Sequence, residues 1–376
     1  MSKKTILVVS FTEIGSDVRI LRHIEALSAH YSITTIGYGA APRDSKNHYQ
    51  IPGTCRYLPL NLLGIASLLF RRFRRATTRT PAVIFVEKIL ERLEFDAIFL
   101  NDVQTLPLLK NSLSEFKVIV DMHEYAPREM EDDWRFRLLL QRYYTWMCKR
   151  YLGLANLVLT VSPGLKVGYD NLCGTSAYVI RNICKFEEVG PKVNTGPIRL
   201  VHSGLAVRGR KLEVMIHAAA DIENIELDMY LVEAPRQKRY LALLNKTASR
   251  TNNVSIKAPV KQDLIVSNLN QYDVGLLLIA ASNFSLKHGL PNKLFDYLQA
   301  RVMTIAGPSP DMAEVVLENH LGHVLSTYGS EELRSYLINL DRSVIENFKK
   351  NADSAAQIVN QETEMGKLMN LVLNLV

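Results

Sequence analysis

One short stretch of the sequence combines a lysine and a carboxylate in a way that suits a nucleotide. Lys293 and Asp296 lie three residues apart in a segment that follows Pro291 and has the apolar spacing of a helix. Unpaired N–H groups at the beginning of a helix attract anions, Lys293 adds a positive charge, and Gly289 lets a ligand approach the backbone. The carboxylate of Asp296 can accept hydrogen bonds from ribose hydroxyls. Phosphate and ribose together indicate a nucleotide, although an ordinary solvated helix would explain the same residues.

The elements that must position this stretch are apolar runs with the length of buried strands. In the first half they cover residues 6–11, 32–38, 97–100, 118–120, 157–161 and 179–180, and in the second half 199–202, 227–232, 254–257, 274–279 and 302–306. Helical patterns separate many of them, which predicts parallel sheets. Most runs end in polar residues, and the carboxyl edge of a parallel sheet is where ligands bind.

The chain divides into two α/β domains with a segment of linker composition at 185–197. We predict domains at residues 1–185 and 198–350, followed by a C-terminal helix at 351–376 that packs back across the junction. A long helix is expected at 128–153. No G-x-G-x-x-G motif follows the first strand, which argues against a dehydrogenase.

Positive charge is concentrated in the first half of the chain. Residues 1–190 contain 25 Lys and Arg against 19 Asp and Glu, whereas residues 191–376 contain 20 against 19. Much of the excess is an arginine cluster that follows the apolar run 60–70. The cluster consists of Arg71, Arg72, Arg74 and Arg75. An apolar run followed by arginines favours a helix that lies on an anionic membrane surface. A buried helix with a solvated end stays open as the alternative.

Other partners and compartments are less compatible with the composition. Few stacking aromatics are interleaved with the arginines, so nucleic acid is not an expected partner. No stretch reaches the ~18–20 apolar residues of a membrane span. The four cysteines have neither C-x-x-C nor metal-ligand spacing, which is typical of thiols in a reducing cytoplasm. We expect a cytoplasmic protein, peripheral at the inner face of the membrane, with no metal site and no cofactor.

Taken in order, motifs along nearly the whole chain resemble those of GT-B glycosyltransferases and, within that fold, of the retaining glycosyltransferase family 4. They are Gly15-Ser16-Asp17-Val18-Arg19, Asp121-Met122-His123-Glu124, Val161-Ser162, Arg181-Asn182, His202-Ser203-Gly204 with Arg210, and Pro291-Asn292-Lys293-Leu294-Phe295-Asp296-Tyr297. The resemblance implies an α/β protein with two Rossmann-like domains that face each other across a cleft. The N-terminal domain would bind the acceptor and the C-terminal domain the nucleotide sugar.

Three positions carry residues that differ from the family pattern. His288 stands where the first of two family glutamates belongs, and Asp296 stands where the second, ribose-binding one belongs. Leu205 occupies the position of a diphosphate-binding arginine. The resemblance therefore implies that Asp296 holds the ribose. His288 lacks the carboxylate expected at its position, but it could contact the donor sugar through a ring nitrogen.

The cations are expected to act on the donor diphosphate. Arg210 occupies the position of the family's diphosphate-binding lysine, and Lys211 and Lys293 can compensate for the missing arginine. Negative charge builds up on the leaving phosphate, so fixed cations stabilise the transition state more than the ground state. We assign this role to Arg210 and Lys293 and, by family analogy, a hydrogen bond near the reacting carbon to His123. The other donor-binding candidates are Gly15, Gly204, Gly289, Leu290 and Asn292.

The resemblance, together with the basic N-terminal half, implies a metal-independent glycosyltransferase that moves a sugar from a nucleotide-diphosphate donor to a lipid-linked or polysaccharide acceptor in cell-surface polysaccharide biosynthesis. A sugar-nucleotide epimerase or a phosphorylase stays open, because both can use twin sheets. Asp102, Asp121 and Glu124 could supply the carboxylates that an epimerase needs. Leu205 and His288 also leave open a non-catalytic partner that kept the fold.

Overall fold

The computed structural model describes residues 3–110 and 116–376, which form two compact α/β units. The first unit comprises Met1–Arg181, Asn283–Ser285 and Met365–Val376, and the second comprises Asn182–Ser282 and Leu286–Glu364. Both short segments assigned to the first unit come from the C-terminal half of the sequence, so each unit is discontinuous in the chain.

The first unit is built on one parallel sheet. Its strands, in the described residues, are β1 (Thr5–Glu13), β2 (Ser32–Tyr38), β3 (Asn47–Gln50), β4 (Ala97–Asn101), β5 (Lys117–Met122), β6 (Leu157–Thr160) and β7 (Tyr178–Val179). They lie in the order β3-β2-β1-β4-β5-β6-β7, each parallel to its neighbours. Leu7 and Val9 of β1 belong to one apolar core, and Ile6 and Val8 belong to another. Because successive side chains point to opposite faces, both faces of the sheet are covered.

Helices of the first unit supply these two cores. They are α1 (Val18–Ser28), α2 (Leu62–Leu69), α3 (Phe73–Thr77), α4 (Pro81–Leu90), α5 (Trp134–Leu139), α6 (Gln141–Tyr151) and α7 (Pro163–Cys173). The Asp17 side chain accepts from the Ile20 N–H at 3.3 Å and begins α1. Ile20, Ile24 and Leu27 lie at helical spacing on one side of α1 and are buried.

The second unit repeats this plan. Its strands, in the described residues, are β8 (Ile198–Ala206), β9 (Ile225–Glu233), β10 (Val254–Lys257), β11 (Val274–Leu277), β12 (Met303–Ala306) and β13 (Gly322–Val324). Their order is β10-β9-β8-β11-β12-β13, and all neighbours are parallel. Leu200 and Leu276 pack in one core, whereas Val201 and Leu277 pack in the other.

The remaining helices follow these strands along the chain. They are α8 (Glu213–Ala219), α9 (Lys238–Ala248), α10 (Ile265–Leu269), α11 (Phe284–His288), α12 (Asn292–Gln299), α13 (Pro310–Glu318), α14 (Ser330–Ile338), α15 (Arg342–Ala356) and α16 (Gln361–Leu373). Leu368 and Val372 of α16 are fully buried in the core of the first unit that contains Ile6 and Val8. The C-terminal segment predicted as one helix is thus formed by two, α15 and α16.

The long helix predicted at 128–153 was wrong in its start and in its continuity. The chain instead forms a 3₁₀ turn at Ala126–Arg128, then α5, and then α6. Asp133 accepts from the Arg135 N–H at 2.8 Å, which begins α5 and thereby breaks the predicted helix. Within residues 3–110 and 116–376, every helix is too short or too polar to cross a membrane.

Candidate functional site

The end of β8 brings a glycine against two cations in the second unit. Gly204 has a φ of +145°, a backbone conformation that side chains rarely adopt. A Cβ at this position would lie 2.4 Å from Lys293 Cε and 2.6 Å from Lys293 Nζ, and 3.7 Å from Arg210 Nη1. The glycine is therefore required both by its backbone conformation and by the close approach of Lys293. Three residues separated by up to 89 positions meet at this strand end.

The two cations at Gly204 are not neutralised by ion pairs. In the described parts of the chain, neither Arg210 nor Lys293 forms a salt bridge with an acidic side chain. Burial, followed by the positive charge of Arg210, lowers the pKa of Lys293 to about 8, although Asp296 acts in the opposite direction. Burial also lowers the pKa of Arg210. Two partly desolvated cations held close together would be stabilised by a bound anion.

A cavity of about 210 Å³ opens beside these cations within the second unit. It is lined by Ser203, Gly204, Tyr230, Val232, Pro259, Val260, Gln262, Ile265, Asn268, Leu269, Asn292, Lys293 and Asp296. Lys293 and Asp296 lie three residues apart in α12 and therefore share a helix face. The sequence-predicted residues Gly204, Asn292, Lys293 and Asp296 are thus brought to one concave surface.

Other predicted donor-binding residues lie outside the lining of this cavity. Lys211 is exposed, with a φ of +50°. Nδ1 of His288 lies 2.6 Å from Oδ2 of the buried Asp311. Gly289 is half-buried, and Leu290 packs into the core of the second unit. Their roles at the donor stay predictions.

His202 is a buried polar residue beside the candidate site that the sequence did not mark for binding. Its Nδ1 lies 2.9 Å from the Leu276 carbonyl oxygen, and that oxygen can only accept, so Nδ1 carries the proton. Burial, with a smaller effect of Lys293, lowers the pKa of His202 to about 3. His202 is therefore neutral and adds no third positive charge next to Arg210 and Lys293.

In the first unit, the strand-end residues form a buried charge network around Asp121. Arg19 donates from Nε and Nη2 to the two oxygens of Asp121, both at 2.8 Å, and from Nη1 to the Ile180 carbonyl at 2.8 Å. His123 Nε2 lies 3.0 Å from Asp121 Oδ2, and His123 Nδ1 lies 3.4 Å from Asp102 Oδ2. Both ring nitrogens of His123 therefore face carboxylates of its own unit.

The charges of this network follow from those contacts. Burial lowers the pKa of His123, but Asp102 and Asp121 outweigh it and raise the value to about 9. Burial opposes ionisation of Asp121, yet Arg19 and His123 hold its pKa well below the usual range. His23 is also buried, and burial lowers its pKa to about 3. His123 is consequently an imidazolium at neutral pH, and its predicted contact with the donor sugar stays a prediction.

Gly15 lies in the turn between β1 and α1, where the sequence predicted a site for phosphate or sugar. A Cβ at Gly15 would lie 2.6 Å from the carbonyl oxygen of Ala40. This close approach of two backbone segments is itself sufficient to require glycine. This contact does not test the ligand role predicted for Gly15, which stays a prediction.

The arginine cluster lies on a surface that also exposes large apolar side chains. All four arginines are exposed, and Arg71 ends α2 with a φ of +54°. Leu62 is 87% exposed and Phe70 is 76% exposed. Helix α2 packs against α5, whose Trp134 is 60% exposed. The surface formed by α2, α3 and α5 is therefore both cationic and apolar.

Some residues of these sites were missed in the sequence. Tyr230 and Asn268 line the cavity from elements that carry no motif, and Arg19 was quoted only as part of the Gly15 motif. The alternation of Asp228, Tyr230 and Val232 along an apolar strand was the available signal for the cavity wall. In residues 3–110 and 116–376, no group of three or more His, Cys, Asp and Glu side chains could hold a metal ion.

No protein-family model matches the sequence, and no curated protein matches it significantly. Solved structures nevertheless resemble the whole chain. HepE from Anabaena in complex with UDP and glucose has a TM-score of 0.71 and 14% identity, over 99% of this chain and 100% of HepE. Sucrose-phosphate synthase from Thermosynechococcus elongatus has a TM-score of 0.74 and 13% identity, over 99% of both chains.

A third similar structure is described as trehalose-6-phosphate from E. coli bound with UDP-2-fluoro glucose. Its TM-score is 0.70 at 10% identity, over 99% of both chains. Similarity of this extent, together with the two parallel α/β sheets, confirms the GT-B fold predicted from the sequence. At such identities the likeness establishes the fold alone, and membership of glycosyltransferase family 4 stays a prediction.

Proposed function

We propose that this protein is a glycosyltransferase that takes its sugar from a nucleoside-diphosphate donor bound in the second unit. The observation that carries the proposal is the convergence of Lys293 and Arg210 on Gly204 without an acidic partner in the described residues. An anionic diphosphate fits this place because it would neutralise both cations and could contact the unobstructed backbone of Gly204. HepE, which shares the fold, has been solved with UDP and with UDP-glucose, which supports a ligand of this class.

The same cations provide a chemical role. When the bond between the sugar and the diphosphate breaks, negative charge increases on the leaving phosphate oxygens. Arg210 and Lys293 are fixed near that position before the reaction, so they stabilise the transition state more than the bound donor. Asp296, one turn into α12, is assigned to the ribose hydroxyls. Retention of the anomeric configuration is proposed on the resemblance to family 4.

The acceptor is proposed to be lipid-linked or a surface glycan, reached from an anionic membrane. The support is the combination of the arginine cluster with exposed Leu62, Phe70 and Trp134 on the neighbouring helices. Arginines attract acidic headgroups, and exposed leucine and aromatic side chains enter the headgroup region. Cell-surface polysaccharide assembly at the inner face of the membrane is the process that suits such an acceptor.

The decisive experiment compares UDP binding and donor cleavage in two charge-matched double variants. Arg210→Ala with Lys293→Ala should weaken UDP binding on the order of 100-fold or more, since two charge-assisted hydrogen bonds are lost. Calorimetric titration measures binding, and release of UDP from UDP-glucose measures cleavage. The control is Arg208→Ala with Lys287→Ala, two exposed cations near the same elements.

The control should retain wild-type binding and cleavage. Equal behaviour of the two double variants would mean that Arg210 and Lys293 do not hold a diphosphate. Failure of the wild-type chain to bind UDP, ADP, GDP, CDP or dTDP would overturn the proposal as a whole. Conversion of the donor sugar to an epimer, without acceptor, would favour the epimerase instead.

A further inference from the structure

The charged residues and the apolar residues that line the cavity of the second unit come from different elements. Its charged residues, Lys293 and Asp296, come from α12, and its glycine comes from the end of β8. The apolar wall comes from other elements. It consists of Tyr230 and Val232 of β9, Pro259 and Val260 after β10, and Ile265 and Leu269 of α10, and two polar residues, Gln262 and Asn268, lie among them. A nucleotide has the same division, because its phosphates and ribose are polar whereas the faces of its base are apolar.

Tyr230 is the aromatic residue of this wall. Asp228, Tyr230 and Val232 alternate along β9 and therefore point to the same face of the sheet. The intervening Met229 and Leu231 are buried on the other face. A tyrosine ring that lines a cavity offers a flat surface against which a base can pack.

A chain of hydrogen bonds fixes the orientation of the Tyr230 ring. The Tyr272 hydroxyl lies 2.7 Å from Asp228 Oδ2, and the Tyr230 hydroxyl lies 2.8 Å from the Tyr272 hydroxyl. A carboxylate only accepts, so Tyr272 donates its one proton to Asp228. Tyr230 must then donate to Tyr272. The hydroxyl of Tyr230 is therefore committed to this chain, and its ring remains as the surface that faces a ligand.

Two cations anchor the far end of the chain. Lys257 Nζ lies 3.5 Å from Asp228 Oδ1, and Arg199 Nη2 lies 4.0 Å from Asp228 Oδ2. The Arg199 guanidinium also lies 4.6 Å from the centre of the Tyr272 ring. Tyr272 is itself buried, being 2% exposed. These contacts hold Asp228 and Tyr272 in place. A substitution at Tyr272 should therefore change the orientation of the Tyr230 ring.

We propose that Tyr230 is the surface on which the nucleobase of the donor packs, and that Tyr272 and Asp228 are positioning residues that hold its ring. The inference rests on the proposed function, because it places the base of the same nucleoside diphosphate whose phosphates bind Arg210 and Lys293. The inference adds the residues that would contact or position the base, whereas Arg210 and Lys293 bind the phosphates.

The test uses two probes that differ by the nucleoside, UDP and inorganic pyrophosphate, in calorimetric titrations of the full chain. Tyr230→Ala should weaken UDP binding about 5- to 150-fold, the range expected for one stacked base. Binding of pyrophosphate should change by less than about twofold, because pyrophosphate has no base to stack. A merely structural defect would instead weaken both probes.

Conservative variants test the hydrogen-bond chain and do not depend on the folding of Tyr230→Ala. Tyr230→Phe and Tyr272→Phe should each weaken UDP binding by about two- to fivefold, and the double variant should be no weaker than the weaker single variant, since both changes cut the same chain. Tyr328→Phe is the matched control. It removes another tyrosine hydroxyl of the second unit, one that lies 2.7 Å from Ser309 Oγ and outside the cavity lining.

Each remaining outcome decides against the inference. Unchanged UDP affinity in Tyr230→Ala, or equal losses for UDP and pyrophosphate, would overturn the role of Tyr230 while leaving the diphosphate site intact. Additive effects of the two Phe variants would overturn the positioning role of Tyr272. If the wild-type chain bound neither pyrophosphate nor any of UDP, ADP, GDP, CDP and dTDP, the proposed function would fail first, and this inference would fail with it.

Discussion

Nε2 of His123 lies 3.0 Å from Oδ2 of Asp121, a carboxylate that is fully buried and also pairs with Arg19 at 2.8 Å. The Asp121 carboxylate therefore pairs with two cations, Arg19 and His123, at the carboxyl end of β5. Asp102 supplies the second carboxylate for His123, with Oδ2 3.4 Å from Nδ1. The arrangement makes the charge of His123 part of the stability of the first unit.

The first prediction concerns the pH dependence of that stability. His123 has a folded-state pKa of about 9, raised from an ordinary 6.5 by Asp102 and Asp121 against the effect of burial. Its contribution is fully present below about pH 6.5 and is lost as the pH rises through about 9. The free energy of unfolding should fall by roughly 3 kcal/mol between about pH 6.5 and about pH 10. Urea titrations across this range measure it, and His123→Gln should lack this decline. An equal decline in His123→Gln would assign the effect to other groups.

The second prediction concerns the buried pair of Arg19 and Asp121. Arg19→Met should destabilise the protein by about 3–5 kcal/mol, because it leaves a buried carboxylate with one partner fewer. Lys166→Met is the matched control, since Lys166 and Asp170 form a partly exposed pair at 2.6 Å. Loss of that pair should cost at most about 1 kcal/mol. Similar costs for the two variants in urea denaturation would show that burial of the Arg19 pair has no special consequence.

The third prediction concerns the pH dependence of anion binding. Lys293 has a pKa of about 8, lowered by burial and by Arg210, so the free protein loses this positive charge as the pH rises through 8. Affinity for pyrophosphate should fall about tenfold between about pH 7 and about pH 9, since one charge-assisted hydrogen bond is weakened. Lys293→Arg keeps its charge throughout and should remove most of this slope. A slope unchanged in Lys293→Met would exclude Lys293 as its source.

The fourth prediction concerns the glycine between the two cations. Gly204→Ala should weaken pyrophosphate binding about tenfold, because the new methyl group displaces the end of Lys293, and should cost about 1–3 kcal/mol of stability through its φ of +145°. Gly209→Ala is the control, since a Cβ there meets nothing within 4 Å. Binding and stability of Gly209→Ala should match the wild type. A Gly204→Ala protein with unaltered affinity would show that Lys293 can move without consequence for the anion.

The fold was largely predictable because its strands are continuous apolar runs. Strands β2 and β10 agree residue for residue with the sequence prediction. The edge strand Asn47–Gln50 was missed, since an exposed strand with the sequence NHYQ carries no apolar signal. The helix predicted at 128–153 begins only at Trp134, because the pattern of apolar residues gave no weight to the capping Asp133.

The candidate site was predictable only where a local motif exists. Lys293 and Asp296 are neighbours on one helix, so their spacing alone places them together. The contact between Tyr230 and Tyr272 joins residues 42 positions apart, and that between Tyr272 and Asp228 joins residues 44 apart. The order of the strands in the sheet, β10-β9-β8-β11, determines which of these distant residues come into contact. No single segment of the sequence encodes that order.

The last prediction concerns the surface formed by α2, α3 and α5. Replacing all four residues of the arginine cluster by Gln should lower partition onto vesicles of equal parts phosphatidylglycerol and phosphatidylcholine by on the order of 100- to 1000-fold, at roughly 1 kcal/mol per arginine. Flotation measures the partition, and added salt should reproduce part of the loss.

The matched control for the membrane surface removes four exposed cations of the second unit. These are Lys238, Arg239, Lys246 and Arg250. Both variants lose the same net charge, so a difference between them reports position rather than total charge. Phe70→Ser with Trp134→Ser should also lower partition, because the exposed rings enter the headgroup region, and this loss should persist at high salt. Equal flotation of the two charge variants would mean that the arginine cluster does not contact the membrane.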